Sequence, residues 1–284
     1  MRFRISRRRR VVNALMGALT WGAAIAATLP LLFVLFYLLI KGATSLNLDF
    51  LTHLPRPVGT PGGGMANAIV GTVIVVGIAS LVGVPVGVGA GVYLVERKKT
   101  RLATVVRFLS DVLNGLPSIV MGIFAWELVV VPMGHFSALA GGFALGAMMI
   151  PVVTRTTEEM VGLVPNSLNE AALALGYPRW RTALRIVIPT AMGGILTGIM
   201  VALARIAGET APLLFTAFGN QFWSVSLTRP IAALPLQIFN YAISPYDEWH
   251  AQAWAGALVL IALVLIISLV SRFVTRSGSG RAVD

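Results

Sequence analysis

The chain has 284 residues, of which 57% are hydrophobic and only 12% are charged, and its mean hydropathy is +0.84. Soluble domains usually carry about 25% charged residues, so this composition excludes an ordinary soluble domain and favours a chain embedded in lipid. The net charge of +11 does not indicate nucleic-acid binding, because the basic residues cluster beside long apolar runs, and a sequence without Cys excludes disulfides, thiolate metal sites and a Cys nucleophile.

Apolar segments recur along the whole chain, each near or above the roughly 20 residues that a helix needs to cross a bilayer. They predict an all-α, polytopic membrane protein with six transmembrane helices, because barrel strands would be shorter and would alternate in polarity. In chain order the segments are Trp21–Ile40, Ala66–Val95, Phe108–Met133, Phe136–Val153, Ile186–Leu214 and Ala251–Val270.

The predicted organisation follows from these segments. A basic N-terminus (1–20) precedes the first transmembrane helix (21–40), a transmembrane domain covers 66–273 with a cytoplasmic loop at 155–189, and a tail covers 274–284. The start resembles a signal peptide, with Arg7–Arg10 before an apolar run and a small-residue stretch at Ala24–Ala26. Because the uncharged run from Val11 to Ile40 is much longer than a signal-peptide core, we expect a retained helix.

Lys and Arg are distributed unevenly between alternate connecting segments. With the N-terminus inside, most of the 22 basic residues fall in inner segments, whereas the outer loops hold Lys41, Arg56 and Arg229. Cytoplasmic loops carry such an excess, so both termini of this multi-pass membrane protein are predicted to be cytoplasmic. Trp249 and Trp254 then lie at the outer end of the last helix, where an aromatic belt is expected.

Glycine and proline mark the inner helices. The second segment is rich in Gly, which predicts close helix packing in lipid, and Pro85, Pro117 and Pro151 are expected to kink their helices. The three His residues are scattered, so no metal site is predicted. No Walker A motif, dinucleotide fingerprint or nucleophile elbow is present in the sequence, so any ATP that powers the protein must bind another subunit.

The longest inner polar segment predicts two short helices joined by a turn. Asn166 or Ser167 is expected to cap the first helix, with Glu170 in its first turn. Gly176 is expected to end that helix and Pro178 to begin the next one. The segment reads Glu170-Ala171-Ala172-Leu-Ala-Leu-Gly176-Tyr-Pro178, and it continues to Ile186-Val-Ile188-Pro189.

This segment resembles the EAA loop of the permeases of binding-protein-dependent ABC importers. That motif is Glu-Ala-Ala, three residues, Gly, nine residues, Ile, one residue and Leu-Pro, and the sequence departs from it only in Ile188, which replaces Leu. The resemblance covers Ala66–Val270 and implies the type I ABC importer permease fold. In the family this loop docks on the ATPase subunit, which implies a coupling role for Glu170, Ala171, Ala172, Gly176 and Pro189.

Arg205 and Glu209 lie within an otherwise apolar segment, where charges are costly and usually functional. Four residues apart on a helix they would share one face. A structural ion pair is one interpretation. The other is a substrate contact, because a guanidinium can donate two bonds to an oxyanion, while a nearby carboxylate can accept from protonated phosphate and repel sulfate. Asp111 and Glu127 are not assigned to the substrate path, and helix packing or an interface is the expected setting for both.

A narrower resemblance links the chain to the phosphate permeases of this family. It rests on Ala204-Arg205-Ile-Ala-Gly208-Glu209-Thr-Ala-Pro212, on Asn114-Gly-Leu-Pro117-Ser118 and on Arg155-Thr-Thr-Glu158-Glu159. By this resemblance Arg155 and Glu158, which could equally be a cytoplasmic anchor, join Arg205 and Glu209 along the substrate path.

The resemblance also implies the rest of the transporter. The expected partners are a second, PstC-like permease, a PstB-like ATPase dimer and a PstS-like extracytoplasmic phosphate-binding protein, with membrane lipid and without nucleic acid. The chain itself is expected to be a non-catalytic subunit without a cofactor, ATP and Mg being bound by the partner ATPase. Alternatives left open are a permease for sulfate, molybdate or phosphonate, a secondary transporter and an intramembrane enzyme.

Overall fold

The structure, a computed structural model, describes residues 6–60 and 62–279, with side chains as far as residue 269. The predicted N-terminal segment 1–20 and tail 274–284 therefore lie partly outside the described residues. The described chain consists of helices joined by turns and loops, with an isolated β-bridge between Phe218 and Ile231.

The helices fall into two groups along the chain. The first group comprises α1 (Arg7–Ser45), α2 (Leu48–Thr52), α3 (Ala66–Glu96), α4 (Arg101–Gly115), α5 (Ser118–Ala125), which continues through a π-helical turn at Trp126–Val130, and α6 (Val131–Met133). The second group comprises α7 (Ala138–Gly162), α8 (Asn166–Ala174), α9 (Arg179–Thr182), which continues through a π-helical turn at Ala183–Val187, α10 (Ile188–Ala207), α11 (Ala211–Leu214), α12 (Leu234–Ala242) and α13 (Asp247–Ser279).

Five of the described helices are long and apolar enough to cross a membrane, and a sixth span forms if one bent pair is counted. The five are Arg7–Ser45, Ala66–Glu96, Ala138–Gly162, Arg179–Ala207 and Asp247–Leu269. The predicted all-α fold with up to six spans is confirmed. The orientation of the termini remains a prediction.

The third predicted segment is not one kinked helix. Arg101–Gly115 and Ser118–Met133 meet at an angle of 109°, so the predicted segment Phe108–Met133 consists of two helices joined at a sharp bend. Pro117 has no N–H and forces Leu116 out of the helical region, to φ −73° and ψ 137°. Pro85 and Pro151, by contrast, lie inside continuous helices.

Helix α3 packs along α7 through a row of small residues. Ala79, Gly83, Gly87 and Gly91 recur every fourth residue and therefore share one face. A Cβ atom on Gly87 would lie 2.7 Å from Cβ of Val153, and one on Gly91 would lie 2.5 Å from Cβ of Thr157. The predicted role of these glycines in close packing is thus confirmed for the row. Gly77 and Gly89 have no neighbour within 4 Å and do not belong to it.

Helix α10 packs against α7 in the opposite direction. Thr156 of α7 contacts Gly198 of α10, and Met160 contacts Gly194. Residue numbers therefore fall along α10 as they rise along α7, so the two helices are antiparallel. Helices α3, α7 and α10 together contain most of the main buried cluster, including Met149, Val153, Ile195 and Ile206.

The fifth predicted segment, Ile186–Leu214, also needs correction. Its helix ends at Ala207 with Gly208 as C-cap, and Pro212 could not have continued it because proline lacks the N–H that a helix interior requires. The chain beyond folds into α11, a loop and α12 at the N-terminal end of α7. There Ser137, Ala138 and Leu139 donate their N–H groups to carbonyls of Thr216, Arg229 and Leu227, so the loop satisfies the first turn of α7.

Helix α1 contacts the rest of the chain mainly near its C-terminal end. Leu38 and Gly42 are its buried residues, and a Cβ atom on Gly42 would lie 2.9 Å from the Trp254 carbonyl oxygen. Tyr37 packs edge-on against the Trp254 ring at 5.2 Å. The apolar remainder of α1 is exposed and therefore available to lipid or to another subunit.

Candidate functional site

Arg205 occupies the last turn of α10, and Glu209 follows the Gly208 C-cap. The two residues therefore do not share one helix face as expected, yet Arg205 Nε lies 3.9 Å from Glu209 Oε1. A cation is favoured at a helix C-terminus and a carboxylate is disfavoured there, so Arg205 offsets the unfavourable position of Glu209. The contact is too long for a hydrogen bond, which leaves the guanidinium able to donate elsewhere.

Arg205 lies at about mid-depth of the helix bundle. The α7–α10 register places it opposite Met149, about 16 Å along α7 from Ala138 at 1.5 Å per residue. In a hydrocarbon core about 30 Å thick that began at Ala138, this would be near half of the depth. Its side chain is nevertheless 49% exposed, whereas that of Glu209 is 20% exposed. Arg205 therefore faces outward from the isolated chain at the depth where exposure to lipid would be most costly.

A second group of charges lies near the C-terminal end of α7. Arg155 Nη1 lies 3.5 Å from Glu158 Oε2, and Arg155 Nε lies 3.2 Å from Glu159 Oε1. The predicted contact between Arg155 and Glu158 is thus present. Glu158 also accepts a short bond, 2.7 Å, from Nε of Arg107 in α4. Sequence reasoning missed this partner because the two residues are 51 positions apart.

Arg107 joins three helices through these contacts. Besides its bond to Glu158, it donates from Nη2 to the Leu94 carbonyl at 3.0 Å, in the last turn of α3. Lys and Arg side chains commonly satisfy the free carbonyls of a helix C-terminus. Arg107 therefore fixes the ends of α3 and α7 relative to α4 while leaving Arg155 half-exposed.

The two charged groups are separated along the bundle. The same register places Arg155 opposite Ile199, six residues before Arg205, or about 9 Å along the helix axis. The structure thus orders Arg205 and Arg155 at successive depths. It does not bring them into contact.

The turn between α8 and α9 is built around Gly176. Gly176 adopts a φ of +83°, its N–H donates to the Leu173 carbonyl, and the Tyr177 N–H donates to the Ala172 carbonyl. This pair of bonds is the Schellman motif, which favours glycine at the left-handed position. Gly176 ends α8 and Pro178 precedes α9, both as predicted.

The start of α8 differs from the expectation. Pro165 is the N-cap and no side chain caps the helix, so neither Asn166 nor Ser167 acts as a cap, and Glu170 lies beyond the first turn because α8 begins four residues before it. Proline at this position sets the extended backbone that a helix entry needs. Glu170, Ala171 and Pro189 are exposed and Ala172 is buried, so the segment presents a polar and apolar mixture to its surroundings.

An amide-lined cavity at the opposite end of the bundle was not predicted. It has a volume of about 220 Å³ and is lined by Asn220, Gln221, Gln237, Asn240 and Tyr241, among others. Gln237 donates to the Tyr241 hydroxyl at 3.2 Å, and burial raises the pKa of Tyr241 although this hydrogen bond acts in the opposite sense. These residues lie in the segment between the spans Arg179–Ala207 and Asp247–Leu269, and no local pattern marked them as a cavity.

No group of His, Cys, Asp or Glu that could hold a metal occurs among the described residues. Asp111 and Glu127 are both exposed, and Glu127 lies in the π-helical turn that follows α5. In the described part of the chain neither of them forms an ion pair, so neither is assigned a role.

Residues 83–277 match the family described as "Binding-protein-dependent transport system inner membrane component". The chain is 46% identical over 267 residues to the "Phosphate transport system permease protein PstA" of Yersinia pestis, covering 94% of this chain and 90% of that relative. It is 47% identical over 268 residues to the protein of the same name from Xylella fastidiosa strain Temecula1, covering 94% and 93%.

The fold is also similar to solved structures. A bacterial ABC transporter involved in the import of the acidic polysaccharide alginate contains a chain that matches with a TM-score of 0.59 at 13% identity, over 94% of this chain and 99% of that chain. At this identity the likeness concerns the fold alone.

Proposed function

We propose that this chain, which belongs to the binding-protein-dependent transport system inner membrane components, is the permease subunit of an ATP-driven phosphate importer. It is a multi-pass inner-membrane protein. The observation that carries the choice of substrate is the relationship to phosphate permeases at 46–47% identity over 94% of the chain. Fold similarity alone would leave the substrate open.

Arg205 supplies the substrate contact in this proposal. A half-exposed guanidinium at mid-depth is costly against lipid, and the cost is removed if this surface faces a water-filled path shared with a second permease. The guanidinium can then donate two parallel hydrogen bonds to phosphate oxygens. Glu209, 3.9 Å away, keeps the site from holding the anion too tightly, because conduction requires release.

Glu209 also contributes to selectivity in this proposal. Hydrogen phosphate retains an O–H donor that a carboxylate can accept, whereas sulfate has none and would be repelled. A polar group left unpaired or opposed by like charge discriminates strongly between similar ligands. Arg155, about 9 Å further along the bundle, is the next cation available to the anion, and Glu158 and Arg107 hold it in place.

In this proposal the segment from α8 to α9 couples ATP hydrolysis to transport. The exposed side chains of α8, including Glu170, provide the surface on which an ATPase subunit would act. The turn at Gly176 leads through α9 and the π-helical turn directly into α10. Movement of α8 would therefore be transmitted to Arg205 along one continuous helix, which suits an alternating-access cycle.

The proposed complex contains a second, PstC-like permease, a PstB-like ATPase dimer and a PstS-like extracytoplasmic phosphate-binding protein. ATP and Mg bind the ATPase, and this chain is a non-catalytic subunit without its own cofactor. Type I permeases supply only the path, so hydrolysis and substrate capture fall to the other subunits.

Reconstitution tests the proposal. The four components are placed in proteoliposomes, and uptake of radiolabelled phosphate is measured with ATP, without ATP, and with excess sulfate as a competitor. We expect uptake that requires ATP and the binding protein and that sulfate does not suppress. Uptake driven by an ion gradient without ATP, or equal competition by sulfate, contradicts the proposal.

A further inference from the structure

A cavity of about 410 Å³ lies between the end of α3, the end of α7 and the inner side of α8. Its polar lining comprises Glu96, Lys98, Asn166, Asn169 and Arg179, and the remaining lining residues are apolar or Gly. These five side chains come from three separate stretches of the chain. The cavity is therefore a tertiary feature and none of the residues assigned to the transport path lines it.

Two cations, Lys98 and Arg179, line this cavity together. Like the exposed Lys99 and Arg181 beside them they form no ion pair among the described residues, but only these two of the four share the cavity. In the part of the chain that the structure describes, Arg107 and Arg155 are both paired with carboxylates, whereas no ion pair or side-chain hydrogen bond is recorded for Lys98 or Arg179. Asn166 and Asn169 lie three residues apart and therefore on one face of α8. Two cations and two amides thus converge on one cavity with their hydrogen-bonding capacity unused.

We propose that this cavity binds a phosphate-type anion. Lys98 and Arg179 supply positive charge, with the fork of Arg179 suited to two phosphate oxygens, and the amides of Asn166 and Asn169 add neutral donors. Glu96 is the carboxylate in the lining, and it can accept the O–H of a protonated phosphate. The same chemistry serves free inorganic phosphate or the phosphate of an anionic lipid headgroup.

Occupancy would restrain α8. The anion would connect Arg179 and the two Asn residues, on the α8–α9 segment, to Lys98 at the end of α3, which is packed tightly on α7. This consequence for transport rests on the proposed function, since α8 is there the element that transmits movement. The binding site itself does not depend on that function.

The chain contains its own control for a binding test, because Lys98 lines the cavity and the adjacent Lys99 does not. The assembled complex in phosphatidylcholine nanodiscs is treated with an amine-reactive acetylating reagent, and modification of each lysine is followed by mass spectrometry during titration with inorganic phosphate. Chloride at matched ionic strength is the reference. A second arm replaces part of the lipid with phosphatidylglycerol and omits phosphate.

At ten times its dissociation constant a ligand leaves the site empty about one-tenth of the time, so Lys98 should react about tenfold more slowly. Lys99 should be unaffected. Arg179→Gln should abolish the protection, and Arg181→Gln, a neighbouring exposed arginine outside the cavity, should preserve it. Protection by phosphate assigns the site to the free ion, and protection only by phosphatidylglycerol assigns it to the headgroup.

Equal effects on Lys98 and Lys99, protection that survives Arg179→Gln, or no protection in either arm would overturn the proposal. The footprint needs no transport, so its failure is distinct from a failure of the uptake assay. If the site restrains α8, the Arg179→Gln complex should also continue importing at cytoplasmic-side phosphate concentrations that slow the wild-type complex.

Discussion

Arg107 Nε lies 2.7 Å from Glu158 Oε1, although the two residues are 51 positions apart in the chain. The bond links α4 to α7, and the same guanidinium reaches the Leu94 carbonyl of α3. Because both side chains are mostly buried, at 29% and 16% exposure, solvent screens this pair less than a surface ion pair.

The first prediction concerns this pair. Arg107→Gln should lower the thermal stability of the complex, since a hydrogen bond to a charged group typically contributes about 1.5–3 kcal/mol. Arg101→Gln, on the exposed side of α4, is the matched control and should have little effect. Combining Arg107→Gln with Glu158→Gln should cost less than the sum of the single changes. Equal melting curves for the Arg107 and Arg101 variants would show that the Arg107–Glu158 bond does not stabilise the contact between α4 and α7.

The second prediction concerns the small-residue row of α3. Gly87→Val should destabilise the α3–α7 contact by about 1–3 kcal/mol, a typical cost of overpacking, because its Cβ would lie 2.7 Å from that of Val153. Gly89→Val, two residues away with no neighbour within 4 Å, should be tolerated. The amount of folded chain in the membrane and its melting temperature measure the difference. Similar losses of folded chain for both variants would show that the cost comes from helix propensity and not from packing against α7.

The third prediction concerns the turn at Gly176. No atom lies within 4 Å of a Cβ placed there, so its φ of +83° is the main constraint. Gly176→Val should therefore reduce association with the ATPase and transport while leaving the chain in the membrane, and Gly176→Asn should be milder because Asn tolerates left-handed backbone. Co-purification of the ATPase with each variant gives the measurement. Normal association with Val would make the segment a simple connector.

Sequence reasoning predicted those features of the fold that depend on local patterns. The lengths of the apolar segments predicted the spans, and the abundance of glycine predicted the close packing of α3. Gly176 and Pro178 predicted the turn before α9. The break at Pro117 was expected as a kink, but its size depends on where α4 packs, which no local signal specifies. Likewise, Pro212 shows why α10 must end, yet the apolar run continues past it and conceals the end.

The candidate site divides in the same way. Arg205 and Glu209 were visible because charges are rare in apolar segments, whereas Arg155 and Glu158 were identified through the resemblance to phosphate permeases. The contacts of Arg107 and the cavity around Lys98 arise from residues distant in sequence, and the amide-lined cavity arises where the loop before α12 folds against that helix. Their contacts depend on the packing of α4, α8 and α12, so composition and spacing carried no signal for them.

The fourth prediction concerns orientation. The excess of Lys and Arg in alternate segments predicts that Thr100 and Asn169 face the cytoplasm and that Gly62 and Ser226 face outside. The sequence contains no Cys, so single cysteines at these positions can be labelled with an impermeant reagent in intact cells. Reaction of Ser226→Cys without reaction of Asn169→Cys is expected. Labelling of Asn169→Cys from outside would invert the topology.

The last prediction concerns Arg205, for which two roles compete. If the contact with Glu209 is structural, Arg205→Gln leaves a carboxylate unpaired at a helix C-terminus and the complex should be lost, while Arg205→Gln with Glu209→Gln should largely restore it. The 3.9 Å separation and the 49% exposure of Arg205 favour the other role, a substrate contact.

In that case Arg205→Gln should assemble normally and lose phosphate uptake, because Gln offers hydrogen bonds without charge. Arg205→Lys should restore little, since an ammonium lacks the planar fork, and the double variant should assemble and remain inactive. Phosphate uptake is measured beside the amount of assembled complex in each variant. Uptake near the wild-type level in the double variant would refute the substrate contact, because neither charge would then be needed for phosphate to pass.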